Sequence, residues 1–155
     1  MTQMFRSFLK LFRRQEGSSI VETAFLMPVL LFICAGAVDF GRAYYLAIEV
    51  SSAAHAGALY GSQNIADTAG MIAAAKLDAP DVPGLVVTPL YGCECYDGSN
   101  VSASCTSAPT GCSGNNYVNY AHITTSATYT PIFPYPGIPS PIPLKGNAYL
   151  RTGGD

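Results

Sequence analysis

The chain has 155 residues, of which only 12% are charged, and a formal net charge of −2. That is enough for one modest domain plus an anchor, with too little charge for a typical soluble domain. Four of the eight basic residues, Arg6, Lys10, Arg13 and Arg14, precede Gly17. Beyond it, Arg42, Lys76, Lys145 and Arg151 stand against nine acidic residues, about −5, which excludes phosphate-backbone binding as the main role.

Residues 1–17 read as a basic leader. Its charge is the positive-inside signal, which keeps the N-terminus in the cytoplasm and sends the remainder outward. An apolar run follows. Ile20 to Val38 would make roughly 28 Å of helix, near the thickness of the hydrocarbon core, so residues 18–41 are expected to span a membrane. Pro28 lies within this run and is expected to loosen or kink the helix.

Three fates compete for this segment. Ala35, Gly36 and Ala37 offer an A-x-A site for a signal peptidase, with release after Ala37. Cys34 would be the lipidated residue of a lipoprotein, but Leu31, Phe32 and Ile33 put bulky groups where small ones are needed. In the third, Gly17 directs a cut that leaves Ser18 as the new N-terminus. Ser19 and Glu22 have the spacing of a capping box, which would serve any helix. A cap does not explain a carboxylate at the edge of a bilayer, where it costs a few kcal/mol unless paired. A basic leader, Gly17, and Glu22 five places on at the mouth of an apolar run together resemble type IV pilin-like proteins. That resemblance implies cleavage after Gly17 by a prepilin peptidase. It also implies pairing of Glu22 with the Ser18 amine of a neighbouring subunit, a contact that penalises wrong register more than it adds stability.

The helical pattern does not stop at the bilayer. Asp39 and Arg42 are spaced to pair where the helix leaves it, and Tyr44 and Tyr45 suit the interface. Small residues then recur every four positions: Ala43, Ala47 and Ser51, and again Ala53, Gly57 and Gly61. Such stripes serve close contact with another helix or with the chain's own domain, and both readings stand at this point. A helix from Ser19 to Tyr60 would be about 63 Å long.

The ordered set of Gly17 to Glu22, Thr23 to Phe25, a proline-bearing apolar run, Asp39 to Arg42, and an Ala-rich helix through Ala53 to Ala58 closely resembles TadE-like proteins. These are minor pilins or pseudopilins of the Tad/Flp tight-adherence system. The likeness covers about residues 13–60. Asp39 stands where the family more often has glutamate, and Thr23 where it often has phenylalanine. The resemblance implies membrane insertion, peptidase processing, and a part in pilus assembly beside other pilin subunits and the Tad secretion machinery.

Beyond the long helix, a second helix is expected over 65–78, capped by Asn64. Leu85 to Leu90 reads as a short strand and Tyr117 to Thr130 as a long alternating one. The six prolines between Pro131 and Pro143 predict an extended loop, because proline supplies no amide donor. Its apolar residues, Ile132, Phe133, Tyr135, Ile138 and Ile142, read either as a cover for the sheet, which is favoured, or as an adhesive or subunit-contact surface. Leu144 to Thr152 closes an antiparallel sheet.

Cys93, Cys95, Cys105 and Cys112 fall in a Gly/Ser/Asn-rich stretch. They predict two disulfides in an oxidising compartment, rather than a zinc site, whose paired spacing they lack. Of three possible pairings, the nested ladder of a hairpin-like loop is favoured, with Cys95–Cys105 inside Cys93–Cys112. His55 and His122, the only histidines, have no nucleophile, acid pair or metal-ligand pattern beside them.

The expectation is therefore an α+β protein. A long N-terminal transmembrane helix continues into a small pilin-like head (42–155) with helix to about 61, helix 65–78 and sheet 85–152, stapled by disulfides. It is expected to be a non-enzymatic subunit without cofactor or nucleic-acid partner, single-pass in a bacterial inner membrane with a periplasmic head. The alternative is an exported or anchored extracytoplasmic binding or adhesive domain.

Overall fold

A computed structural model describes residues 16–103, 105 and 108–152. The expected leader, up to residue 15, lies outside the described residues. The chain divides into two compact units, Met1–Gly41 and Arg42–Asp155.

The first unit, as described, is the lower part of one helix, α1 (Glu16–Gln63). It contains Pro28 but is not interrupted there; a missing N–H removes one rung of the ladder, and the rungs on either side hold. Thr23 returns its hydroxyl to the Ser19 carbonyl at 2.8 Å, the back-bond by which a polar side chain satisfies itself inside a helix. Because α1 is already helical at Glu16, Ser19 is an interior residue and not an N-cap, so the expected capping box is not formed. The apolar side chains here are exposed on all sides, with Phe25 77% and Phe32 70% accessible. Among the described residues, α1 is the one helix long and apolar enough to cross a membrane, and none of its most apolar window is buried within the protein. A helix apolar all round and uncovered matches a lipid environment.

The second unit begins at Arg42. It contains the upper part of α1, a second helix α2 (Thr68–Asp78), and strands β1 (Val86–Cys95), β2 (Tyr117–Tyr129) and β3 (Ile142–Arg151). The strands form an antiparallel sheet in the order β1-β2-β3. Its register runs from Val86 opposite Ser126 to Cys95 opposite Tyr117, and from Tyr120 opposite Arg151 to Tyr129 opposite Ile142. Alternation along β2 buries Ala121, Ile123, Thr125, Ala127 and Tyr129 on one face. The core lies between this face and the helices: Val50, Ala53, Ala54 and Ala58 of α1 and Met71 and Ala75 of α2 are all fully buried. The architecture is thus α+β, with the helices against one face of an antiparallel sheet.

Three local expectations are corrected. α2 starts at Thr68 and not at 65, and its N-cap is Asp67 and not Asn64; the Asp67 side chain accepts the Gly70 amide at 2.9 Å. Asn64 instead closes the end of α1, its amide donating to the Tyr60 carbonyl at 2.9 Å. β1 continues to Cys95, beyond Leu90, so two cysteines belong to a strand. Pro89 in β1 and Pro143 in β3 are tolerated because both strands are sheet edges.

Candidate functional site

The expected processing residues lie in the first described turns of α1. Gly17 and Ser18 are helical, and Glu22 is one turn further on, exposed among exposed apolar neighbours. Gly17 is the poorest helix former short of proline, so unwinding α1 around it costs less than elsewhere.

Farther along α1, Asp39 is buried at 1% accessibility while Arg42, one turn on, is exposed. Of the two small-residue stripes, Ala53, Gly57 and Gly61 are buried against the chain's own head. A methyl group on Gly57 would come within 3.1 Å of the Met71 carbonyl and 3.3 Å of Ile123, and one on Gly61 within 2.8 Å of Ala121. These glycines let α1 lie close to α2 and β2. Ala43, Ala47 and Ser51 are half-buried.

The same closeness recurs where α1 crosses the sheet. Thr125 donates its hydroxyl to the Val50 carbonyl at 2.6 Å, and a methyl on Gly146, the residue opposite Thr125, would stand 2.5 Å from that carbonyl.

The cysteines do not form the nested ladder. Cys95 is bonded to Cys112, with Cα atoms 5.2 Å apart. The reason is the path of the chain. After β1 it turns back beside the strand, with the Cys95 amide donating to the Ser99 carbonyl at 2.9 Å and the Cys93 amide to that of Ser102 at 2.8 Å. It then returns through a short 3-10 turn (Ser113–Asn115) to Tyr117, which faces Cys95 across the sheet. Cys112 thus arrives beside Cys95 because it precedes the residue paired with Cys95.

One feature of the sheet's other face had no local signal in the sequence. Glu94, 4% accessible, forms an ion pair with Arg151 at 2.5 Å, across 57 positions of chain. Tyr149 stacks on Tyr120 with ring centroids 5.0 Å apart. Burial, then its hydrogen bond to Glu94, pushes the Tyr149 hydroxyl above its ordinary range. His122 on the same face bonds Asn147 at 2.8 Å. Nothing but strand register brings these residues together. Among the described residues no group of His, Cys, Asp and Glu is arranged to hold a metal ion.

Comparison with protein families locates one match: residues 17–59 fit the family model described as TadE-like protein. Over this segment, and not beyond it, the chain is similar to that family. The match begins at Gly17 and ends near the close of α1, so it covers the expected processing residues, the apolar run and the small-residue stripes up to Gly57. The helix that carries the match fits single-pass membrane anchoring. No curated protein and no solved structure matches the chain.

Proposed function

We propose that this protein is a structural, non-enzymatic subunit of TadE type, a minor pilin or pseudopilin acting in Tad/Flp pilus assembly and adhesion. In this reading a prepilin peptidase cuts after Gly17. The leader stays in the cytoplasm, α1 anchors the subunit in the inner membrane, and the head faces the periplasm before α1 joins other pilin subunits and the secretion machinery. The observation that carries the proposal is the coincidence of three things at one place. The family match starts at Gly17, the apolar run opens three residues later at Ile20, and Glu22 lies exposed at its mouth.

Each residue has a role with a physical basis. Gly17 and Ser18 define the cut. Glu22, unpaired at a bilayer edge, is costly until it meets the Ser18 amine of a neighbour, so its charge selects register. Asp39 and Arg42 mark the exit from the membrane. The Cys95–Cys112 disulfide supports an oxidising compartment for the head.

The test is the N-terminal sequence and intact mass of the membrane-extracted protein from cells with and without their prepilin peptidase. A Ser18 terminus, lost when the peptidase is absent, is expected. A Val38 terminus in both strains would replace this reading with an exported domain released by signal peptidase.

A further inference from the structure

Two more thiols lie at the same edge of the sheet as the Cys95–Cys112 bond. Cys93 is fully buried in β1, and Cys105 is half-buried in the loop that follows it. Cys93 is one of the groups that raise the Cys105 thiol, which places the two side chains beside each other. The backbone builds this approach from both sides. Cys93 and Ser102 exchange both of their amide–carbonyl hydrogen bonds, at 2.8 and 2.7 Å, so the loop is paired to the strand edge three residues before Cys105. The Cys93 thiol also donates to the Ser102 carbonyl at 3.7 Å. From the other side, Tyr117 donates its hydroxyl to the Cys105 carbonyl at 3.4 Å.

We propose that Cys93 and Cys105 are an oxidisable pair that forms a second disulfide, crossing Cys95–Cys112, on exchange with a disulfide-donating oxidant. The connectivity follows the chain path. Cys105 is carried to Cys93 by the Ser102 pairing, and Cys112 to Cys95 by the start of β2. Each bond clips the loop to a different point of the β1 edge, and neither loop is nested in the other.

The chemistry is thiol–disulfide exchange in two steps. Cys105 meets the donor first, because Cys93 has no accessible surface. The deprotonated Cys105 sulfur attacks one sulfur of the donor; the donor S–S bond breaks and one donor thiolate leaves with the electron pair. Cys93, deprotonated in turn, attacks the Cys105 sulfur and displaces the second donor thiolate. Two protein thiols lose two electrons and two protons, and one donor disulfide becomes two thiols. Burial, followed by Cys93 beside it, pushes the Cys105 thiol up to about 12. The thiolate is therefore scarce at neutral pH, and closure should speed up about tenfold per pH unit while pH stays below that value.

The opposing role is that of two small buried apolar groups that merely pack. The experiment takes the full-length protein in detergent and treats it with oxidised glutathione over a range of pH. Remaining thiols are then alkylated in denaturant, and the sample is read by intact mass and by a non-reduced digest cut after Glu94 and fragmented at Pro109. The expected result is one alkylated thiol, Cys34, with Cys93 linked to Cys105, and a rate that climbs with pH. The Cys105→Ser variant should then show two alkylated thiols. Three alkylated thiols at every pH would overturn the proposal. So would a glutathione adduct left on Cys105, or a map pairing Cys93 with Cys112. The thiol count and the N-terminal test fail separately, since the cut lies far from these residues in sequence and chemistry.

Discussion

Thr125, in the middle of the central strand, donates its hydroxyl to the backbone carbonyl of Val50 on α1 at 2.6 Å, and both residues are fully buried. This bond fixes where the upper part of α1 rests on the sheet. A buried hydroxyl that found no acceptor would be costly, so the contact sets register as well as adding stability. Thr125→Val keeps the shape and removes the bond. A loss of about 1 kcal/mol is expected, read as a lowered Tm in near-UV circular dichroism, with secondary structure retained.

The residue opposite makes a sharper demand. Gly146 faces Thr125 across β2 and β3, and a methyl there would meet the Val50 carbonyl at 2.5 Å and the Ser51 Cα at 2.8 Å. Those atoms are backbone and cannot swing aside. Gly146→Ala is expected to cost about 1–3 kcal/mol, at or above the Thr125→Val effect although it adds only one carbon. A variant as stable as the parent would show that α1 shifts on the sheet without penalty.

Glu94 and Arg151 provide a test by difference. The carboxylate is buried while the guanidinium side chain is 48% accessible. Removing a partner from a fully buried pair costs several kcal/mol, and solvent at Arg151 reduces that. Arg151→Ala should therefore destabilise by about 1–2 kcal/mol. Adding Glu94→Gln should recover part of the loss, because the uncompensated charge disappears. Additive losses in a double-mutant cycle would rule out coupling between the two.

Acid should weaken the cap of α2. The Gly70 amide first, and the Tyr60 hydroxyl second, hold the Asp67 carboxyl below its ordinary value of 3.8. A depressed folded value gives stability that is present above 3.8 and is lost as pH falls through the lower folded value. Tyr60 is the counterpart at high pH. Its hydrogen bond to Asp67 raises it above 10.0, so its contribution holds below 10.0 and fades as pH rises through the folded value. Asp67→Asn keeps a cap and should flatten the acid limb of a Tm-against-pH curve.

Glu22→Gln separates processing from assembly. The amide keeps the size of the side chain and removes the charge that, in the proposed function, pairs with an amine. The variant should still yield a Ser18 terminus but be depleted from sheared pili relative to the membrane fraction. Equal recovery in both fractions would remove register selection from Glu22.

The helical part of this protein was legible in its sequence because the patterns there are local. The apolar run, Gly17 with Glu22, and the four-residue recurrence of small side chains each fall within a few turns, and α1 carries them all. The three-strand sheet was legible from alternation in β2 and β3. What escaped depended on long-range register. Nothing near Glu94 announces Arg151, since their meeting is decided by β1 and β3 both pairing with β2. The cysteine pairing was misread for a related reason: spacing alone cannot tell whether a loop returns straight or folds along the strand edge. Asn64 and Asp67 are equally good caps by residue type, and the choice fell to Asp67 because Tyr60 supplies it with a second donor. Gly70, which weakens a helix by propensity, is needed under that ring, since a methyl there would run into it.

Two different selections act along the single helix α1. Between Phe25 and Ile33 its side chains are large and uncovered, and what matters is that they be oily; shape is nearly free. Between Val50 and Gly61 the inward positions admit little beyond a methyl group, and what matters is bulk. In a saturation library scored for surviving protein, the lower half should accept leucine, phenylalanine and isoleucine interchangeably and reject charge. The inward positions of the upper half should reject leucine as firmly as lysine. One uninterrupted α-helix would thus show two substitution alphabets, with the change of rule falling inside a continuous ladder of hydrogen bonds.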